Sequence, residues 1–113
     1  MTTLSEKHCL VCENGAKLLS AEEKEALLKQ TPAWQLNKTS TAIERHFSFK
    51  NFYQTMSFVN AIAWIANQEN HHPDLEVGYN YCHVRYSTHS IKNLTENDFI
   101  CAAKINQILS TQN

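Results

Sequence analysis

The sequence predicts an α+β fold in which a four-stranded antiparallel sheet carries helices packed on one face. The first observation is two pairs of short strand-like segments, each pair joined by a polar turn. The second is a long helix-like segment between the pairs, with a further helix-like segment at each end of the domain. The predicted order is α-β-β-α-β-β-α. Because 113 residues make one domain, we expect an N-terminal arm over residues 1–19 and a single domain over residues 20–113.

Composition and charge exclude several classes of protein. The formal net charge is −1 and no basic block is present, which argues against nucleic-acid binding. No apolar run approaches the ~20 residues that span a membrane, and the N-terminus lacks the pattern of a signal peptide. We therefore expect a cytoplasmic protein whose four cysteines stay reduced. A domain of this size buries only about two-thirds of its unfolded surface, which favours a homodimer or homotetramer.

The first half of the predicted domain is a helix followed by a hairpin. Ser20 and Glu23 form a capping-box pattern, which predicts a helix over Ala21–Lys29 after a loosely structured arm. Strands are predicted over Trp34–Asn37 and Thr41–Phe49, and the polar residues between them form the hairpin turn.

Alternation predicts which face of each strand is buried. Thr41–Phe49 places three apolar residues on one face, and strict alternation puts a charged residue there as well: Ile43, Phe47, Phe49 and Arg45. After a short strand over Leu75–Tyr79 and a turn at Asn80, Cys82–His89 alternates clearly. One face of this last strand carries Cys82, Val84, Tyr86 and Thr88, and the other carries His83, Arg85, Ser87 and His89.

Helical periodicity is clearest over Asn51–Glu69. Apolar residues recur there at three- and four-residue steps on one stripe, namely Phe52, Met56, Val59, Ile62, Ala63 and Ala66. Phe58, Trp64 and Ile65 lie outside the stripe, so this helix either lies deep in the core or forms a subunit contact. A second capping-box pattern, Thr95 with Asp98, opens the last helix over Glu96–Leu109.

Paired imidazoles at the end of the long helix are the leading candidates for chemistry. Proline disfavours the α region for the residue before it, so the triplet His71-His72-Pro73 predicts that the helix has ended. Histidine titrates near neutral pH, which suits general acid and base catalysis. His89 projects from the polar face or the end of the last strand.

A longer pattern of residues resembles the signature of the pterin-4a-carbinolamine dehydratase family. The pattern is His71-His72-Pro73, Tyr79, His89 and Asp98 in this spacing. The flanking segments are similar to the family as well, with the last helix like that of bacterial members. These segments are residues 47–52, 71–75, 87–89 and 97–103, and the resemblance runs without obvious gaps over residues 43–109.

This resemblance implies a reaction and a partner. The substrate would be a 4a-hydroxytetrahydropterin, left when an aromatic amino acid hydroxylase uses tetrahydropterin, and loss of water would give quinonoid dihydropterin. One proton goes to the departing hydroxyl and another leaves a ring nitrogen, so no metal or other cofactor is implied. Members in animals also serve as dimerisation cofactors of a homeodomain transcription factor, so a binding protein is the alternative.

The resemblance also implies roles for particular residues. The catalytic set is His71 as acid or base, His89 acting from the other side of the substrate, and His72 orienting it. The substrate-binding set is Asn70, Pro73, Ser87, Thr88 and Asp98, although Asp98 also fits the capping box. Two positions depart from the family pattern: Asn67 replaces a charged residue, and Leu75 stands where some members carry an aromatic residue.

Two metal hypotheses compete with this interpretation. His8-Cys9-x-x-Cys12 has the spacing of half a zinc site, but Cys82 and Cys101 do not form a second knuckle. A metal hydrolase using His71, His72 and His89 is the other hypothesis. Adjacent residues rarely ligate one ion well, and no carboxylate beside them is evident in the sequence.

Overall fold

A computed structural model describes residues 3–10 and 17–110. A short 3₁₀ helix (Leu4–Glu6) comes first, and seven further elements follow: α1 (Ala21–Lys29), β1 (Gln35–Leu36), β2 (Ile43–Ser48), α2 (Phe52–Glu69), β3 (Asp74–Val77), β4 (Tyr81–Tyr86) and α3 (Glu96–Ser110). The four strands form one antiparallel sheet in the order β1-β2-β4-β3. The predicted fold class and element order are therefore confirmed.

The buried face of the sheet follows the predicted alternation. Cys82, Val84, Tyr86 and Thr88 are all buried, whereas Arg85 and His89 on the opposite face are exposed. Arg45 lies on the inner side of β2 as predicted, with its guanidinium 4.5 Å from the centre of the Phe47 ring. Its Nη1 donates to Asn106 Oδ1 at 2.6 Å, and burial lowers the pKa of Arg45. The charged residue is thus held at the edge of the core by an aromatic ring and an amide.

Strand β1 is shorter than predicted. At one end a side chain adds to the backbone pairing, in which the N–H of Asn37 donates to the carbonyl of Ala42 at 3.0 Å. Asn37 Oδ1 accepts hydrogen bonds from the backbone N–H groups of Thr41 and Ala42 at 2.8 and 3.1 Å, which closes the hairpin turn. At the other end, Trp34 is buried rather than paired in the sheet, and its Nε1 donates to Asn106 Oδ1 at 2.9 Å. Only Gln35–Leu36 is left as strand.

The buried stripe of α2 differs from the predicted one. Phe52 and Ala63, which we placed on the stripe, are exposed, whereas Phe58 and Ile65, which we placed outside it, are buried. An apolar arc this wide contains more than one helical stripe, and packing selects among them. The Phe58 ring lies 4.5 Å from the ring of Phe47 on β2, and this contact with the sheet determines which stripe of α2 is buried. Within this chain α2 is buried on one side only, so the expectation that it lies deep in the core is wrong.

The first described residues pack against the domain rather than forming a loose arm. Leu4 is buried in the core, and the backbone N–H of Cys9 donates to Glu69 Oε1 at 2.7 Å. Burial opposes ionisation of Glu69, but its hydrogen bonds with Cys9 and His8 and the charge of Lys104 together outweigh that penalty and lower its pKa. The loosely structured arm is therefore a wrong expectation for residues 3–10, while the domain division at residue 19 stays a prediction.

The zinc hypothesis for the N-terminal segment rests partly on Cys12, which lies outside the described residues. The described partner of Cys9 is Cys101, with the two Sγ atoms 3.6 Å apart. Hydrogen bonding with Cys101, together with burial, raises the pKa of Cys9, which favours its neutral thiol. In the part of the chain that the structure describes, no helix is long and apolar enough to cross a membrane.

Candidate active site

The end of α2 turns the chain so that the first histidine points back toward the core. Asn70 adopts the left-handed conformation (φ 51°, ψ 43°) that commonly terminates helices. Its backbone N–H and that of His71 both donate to the carbonyl of Ala66, the latter at 3.1 Å. Pro73 then leads into β3, so the predicted end of the helix is confirmed. Asn70, which we expected to bind substrate, has a structural role as the cap.

A buried carboxylate holds the ring of His71. His71 Nε2 lies 2.6 Å from Asp98 Oδ1, and the two side chains are 11% and 0% exposed. The other oxygen, Asp98 Oδ2, accepts from the Thr88 hydroxyl at 2.8 Å and from the Thr95 backbone N–H at 3.0 Å. A carboxylate that accepts the Nε2–H fixes the tautomer of the ring. Nδ1 is then the atom of His71 that can take up or deliver a proton.

Tyr86 supports the same imidazole from one side. The two rings stack with centroids 5.8 Å apart and planes 5° from parallel. Burial raises the pKa of Tyr86, so its phenol stays neutral. The hydroxyl is buried beside the thiol of Cys101 and has no oxygen or nitrogen partner among the described residues. Alternation predicted that Tyr86 lies on the buried face of β4, but not that its ring stacks on His71. The one signal in the sequence is that Tyr86 and Thr88 share that face.

Two contacts link His89 to the surroundings of His71 at one edge of the sheet. Its Nε2 lies 3.5 Å from Asp74 Oδ2, and Asp74 directly follows Pro73. Its chain neighbour Thr88 is bonded to Asp98, the carboxylate that holds His71. His89 and Asp74 are both 66% exposed. His72, the third predicted catalytic residue, is also exposed, so one buried and two exposed histidines belong to this edge.

Ser87 and Thr88 were predicted to present backbone or hydroxyl groups to the substrate, and both hydroxyls are used within the protein. Ser87 donates to the carbonyl of Thr41 at 3.0 Å, and Thr88 bonds Asp98 and lies 2.9 Å from the hydroxyl of Thr95. Asp98 itself is fully buried beneath His71. The half of the predicted capping box in which Asp98 accepts from Thr95 N–H is present, so Asp98 serves the helix and the histidine together. Direct contact of these residues with substrate stays a prediction.

A buried lysine anchors the turn that carries His89. The backbone groups of Thr88 and Asn93 pair with each other, which closes this turn. Lys24 on α1 donates through Nζ to Asn93 Oδ1 at 2.9 Å and to the carbonyl of Ser40 at 2.7 Å. The role of Lys24 was not predicted, because a single lysine on a predicted helix does not indicate a partner 69 positions away in the chain.

The two positions that depart from the family pattern lie differently. Asn67 is exposed on the last turn of α2, and Leu75 on β3 is half-buried against the core. Among the residues that the structure describes, no group of three or more His, Cys, Asp or Glu side chains is arranged to hold a metal ion. The three histidines of the metal-hydrolase hypothesis therefore do not form a ligand set here.

Fold and site together define an α+β protein with a histidine–carboxylate pair suited to moving protons on a small molecule. The family model for pterin 4 alpha carbinolamine dehydratase matches residues 17–108. A Legionella pneumophila (strain Lens) protein provisionally named pterin-4-alpha-carbinolamine dehydratase is 61% identical over 107 residues, or 94% of this chain and 95% of its own. A Nitrosomonas eutropha protein of the same name is 56% identical over 94% of this chain and 93% of its own.

Solved structures agree with these relatives. A crystal structure of a transcriptional coactivator/pterin dehydratase from Brucella melitensis superposes with a TM-score of 0.78 at 34% identity, covering 81% of this chain and 98% of that chain. A pterin dehydratase-like RuBisCO assembly factor of the α-carboxysome shares the fold, with a TM-score of 0.59 at 19% identity over 67% of this chain and 88% of that chain. The chain belongs to the pterin-4a-carbinolamine dehydratase family, which confirms the predicted resemblance.

Proposed function

We propose that this protein dehydrates 4a-hydroxytetrahydropterin to quinonoid dihydropterin, by acid and base catalysis from its histidines. The observation that carries the proposal is the buried His71–Asp98 pair, in a chain that belongs to the dehydratase family. The product would return to the tetrahydropterin pool of an aromatic amino acid hydroxylase. The site of action would be the cytoplasm.

The proposed reaction needs two proton transfers that balance each other. The bond from carbon 4a to its hydroxyl breaks as that oxygen receives a proton and leaves as water, and a ring nitrogen gives up a proton. His71 performs one transfer through Nδ1, and the Asp98 carboxylate stabilises the imidazolium that forms when Nδ1 holds a proton. His89 lies beside Asp74 at the same edge and performs the other proton transfer, from the opposite side of the pterin ring.

Binding of the pterin would draw on the exposed parts of this edge. His72 orients the substrate from the turn between α2 and β3, with Asn70 and Pro73 shaping that turn. The backbone of Ser87 and Thr88 would meet the amide edge of the pterin, since both hydroxyls are already bonded within the protein. Asp98 acts through His71 as a positioning residue, because it is fully buried.

Replacing His71 tests the proposal directly. His71→Ala should lower the enzymatic dehydration of a synthetic carbinolamine by about 10²-fold or more, the usual scale for losing a general acid or base. The measurement is the stopped-flow rate above the uncatalysed background. His8→Ala is the matched control, because His8 is exposed on the N-terminal segment and bonds Glu69 instead. Equal rates for His71→Ala and the parent protein would remove His71 from the mechanism.

A protein-binding role is the second candidate, and one surface favours it. Tyr53 and Trp64 both lie exposed on α2, and neighbouring exposed apolar side chains are candidates for contact with a partner. The similar Brucella protein is described as a transcriptional coactivator as well as a pterin dehydratase. Changing His71, His72 and His89 to Ala together separates the roles, because a binding protein keeps its partner and a dehydratase loses turnover.

A further inference from the structure

Two histidines face each other across neighbouring strands on the open side of the sheet. His46 on β2 and His83 on β4 are directly opposite in the antiparallel register. Their Nδ1 atoms lie 3.4 Å apart. These two residues were not part of the predicted site, and the proposed dehydration does not use them.

Each ring is held in place by a different neighbour. The ring of His46 stacks on Tyr81, with centroids 5.5 Å apart and planes 17° from parallel. His83 Nε2 lies 2.7 Å from Glu44 Oε1, so the carboxylate accepts the Nε2–H of that ring. The lone pair of His83 is therefore on Nδ1, the atom that faces His46. A carboxylate on the far nitrogen is the arrangement that orients histidines in metal sites.

The separation of the two nitrogens fits one coordination geometry. A tetrahedral ion bonded to two imidazole nitrogens at about 2.0–2.1 Å holds them about 3.4 Å apart, whereas adjacent octahedral positions are about 2.9 Å apart. The observed Nδ1–Nδ1 distance of 3.4 Å matches the tetrahedral value. It is also longer than the roughly 2.7–3.2 Å usual for hydrogen bonds from N–H groups.

The surroundings leave room for an ion with additional ligands and carry charges of both signs. A cavity of about 460 Å³ adjoins the pair, lined also by Ala33, Gln35, Leu36 and Arg45, and Arg85 lies directly opposite Glu44. Glu44 lines it, and Glu76 on β3 is directly opposite His83. The nearby guanidinium of Arg45 bonds Asn106 and packs over an aromatic ring.

We propose that His46 and His83 bind a divalent transition-metal ion of the zinc type through their Nδ1 atoms, with Glu44 orienting His83. Water or a small anion in the cavity completes the tetrahedron, since the protein supplies two ligands. Two protein ligands predict micromolar rather than nanomolar affinity. The ion would join β2 to β4 across the open face, so its binding should raise the melting temperature.

Titration of the full chain with zinc alone tests this site. We expect one ion per chain by calorimetry, and cobalt in its place should give the intense visible absorption of a tetrahedral centre. His46→Ala and His83→Ala should each weaken zinc binding at least 10-fold. Glu44→Gln should weaken it by about 10-fold, the lower end of the usual effect of removing such a carboxylate. Glu44→Gln keeps both ligands and the volume of the side chain. It therefore tests the site even if the alanine variants fold poorly.

Other histidines in the chain provide the controls. His8→Ala should leave zinc affinity unchanged, and so should the double variant of His72 and His89. Parent-like binding by His46→Ala and His83→Ala would overturn the proposal. Loss of binding in His8→Ala alone would move the metal to the N-terminal segment and overturn it too. Since His46→Ala should keep the rate of carbinolamine dehydration, the metal site and the proposed function succeed or fail separately.

Discussion

Asp98 joins three parts of the candidate site through two oxygen atoms. Its carboxylate accepts hydrogen bonds from the ring of His71, the hydroxyl of Thr88 and the backbone N–H of Thr95. A fully buried carboxylate is tolerated only where such donors replace water. The same carboxylate therefore caps α3 and fixes the tautomer of His71. A substitution that removes one of these contacts also changes the other.

Removing the charge of Asp98 should affect catalysis more than substrate binding. In Asp98→Asn the side chain keeps its shape, but its NH₂ group favours the wrong tautomer of His71, so kcat should fall by about 10²-fold or more. The measurement is kcat and KM across pH, with the larger change expected in kcat.

Thr88→Val provides the comparison, because it removes one hydrogen bond to Asp98 and keeps the charge. It should lower stability by about 1–3 kcal/mol and leave the pH profile of kcat as it is in the parent. A parent-like pH profile and kcat in Asp98→Asn would contradict the positioning role of this carboxylate.

At the scale of elements, the turn that carries His89 depends on a helix far away in the chain. Lys24 on α1 is buried and donates to Asn93 Oδ1 and to the carbonyl of Ser40. Lys24→Met keeps the apolar stem but leaves both acceptors without this donor, at a cost of about 1–3 kcal/mol. In a domain this small, each kcal/mol lowers the melting temperature by about 4–8 °C.

Thermal melting and amide exchange at Asn93 and Leu94 check this prediction. Lys29→Met, at an exposed position on the same helix, is the control and should change neither quantity. If Lys24→Met melted with the parent and kept its amide protection, Lys24 would not anchor the turn.

The elements also show what the sequence could and could not predict. Alternation over residues 82–88 was sufficient to identify the buried face of β4, because a strand has only two faces. The stripe of α2 was misplaced, because its apolar arc admits several stripes and only the packing of Phe58 on Phe47 decides among them. The resemblance placed His71 and Asp98 in one predicted site, and their side chains are in contact. The stacking of Tyr86 and the anchor from Lys24 are contacts between distant elements that no local pattern reports.

At the scale of the whole molecule, the two faces of the sheet differ in chemistry. The inner face packs on the helices and carries Thr88, which bonds the carboxylate that holds His71. The open face carries the His46–His83 pair, and His89 lies exposed beyond the end of β4 on the same side. The outward side of α2 is a third surface, on which Tyr53 and Trp64 are 84% and 66% exposed. A homodimer or homotetramer that covers this side would bury those rings and leave the open face of the sheet free.

A charge on α2 tests that arrangement. Trp64 is 66% exposed within the chain, so Trp64→Asp removes little of the core and should leave the fold of one chain intact. If the ring packs against a second copy, the new carboxylate would be buried there without a partner, which typically costs several kcal/mol. We therefore expect a lower mass in solution by sedimentation velocity, with an unchanged far-ultraviolet circular dichroism spectrum. Thr39→Asp, on the exposed β1–β2 turn, adds the same charge elsewhere and should keep the parent mass. A folded Trp64→Asp protein with the parent mass would show that assembly does not involve this face of α2.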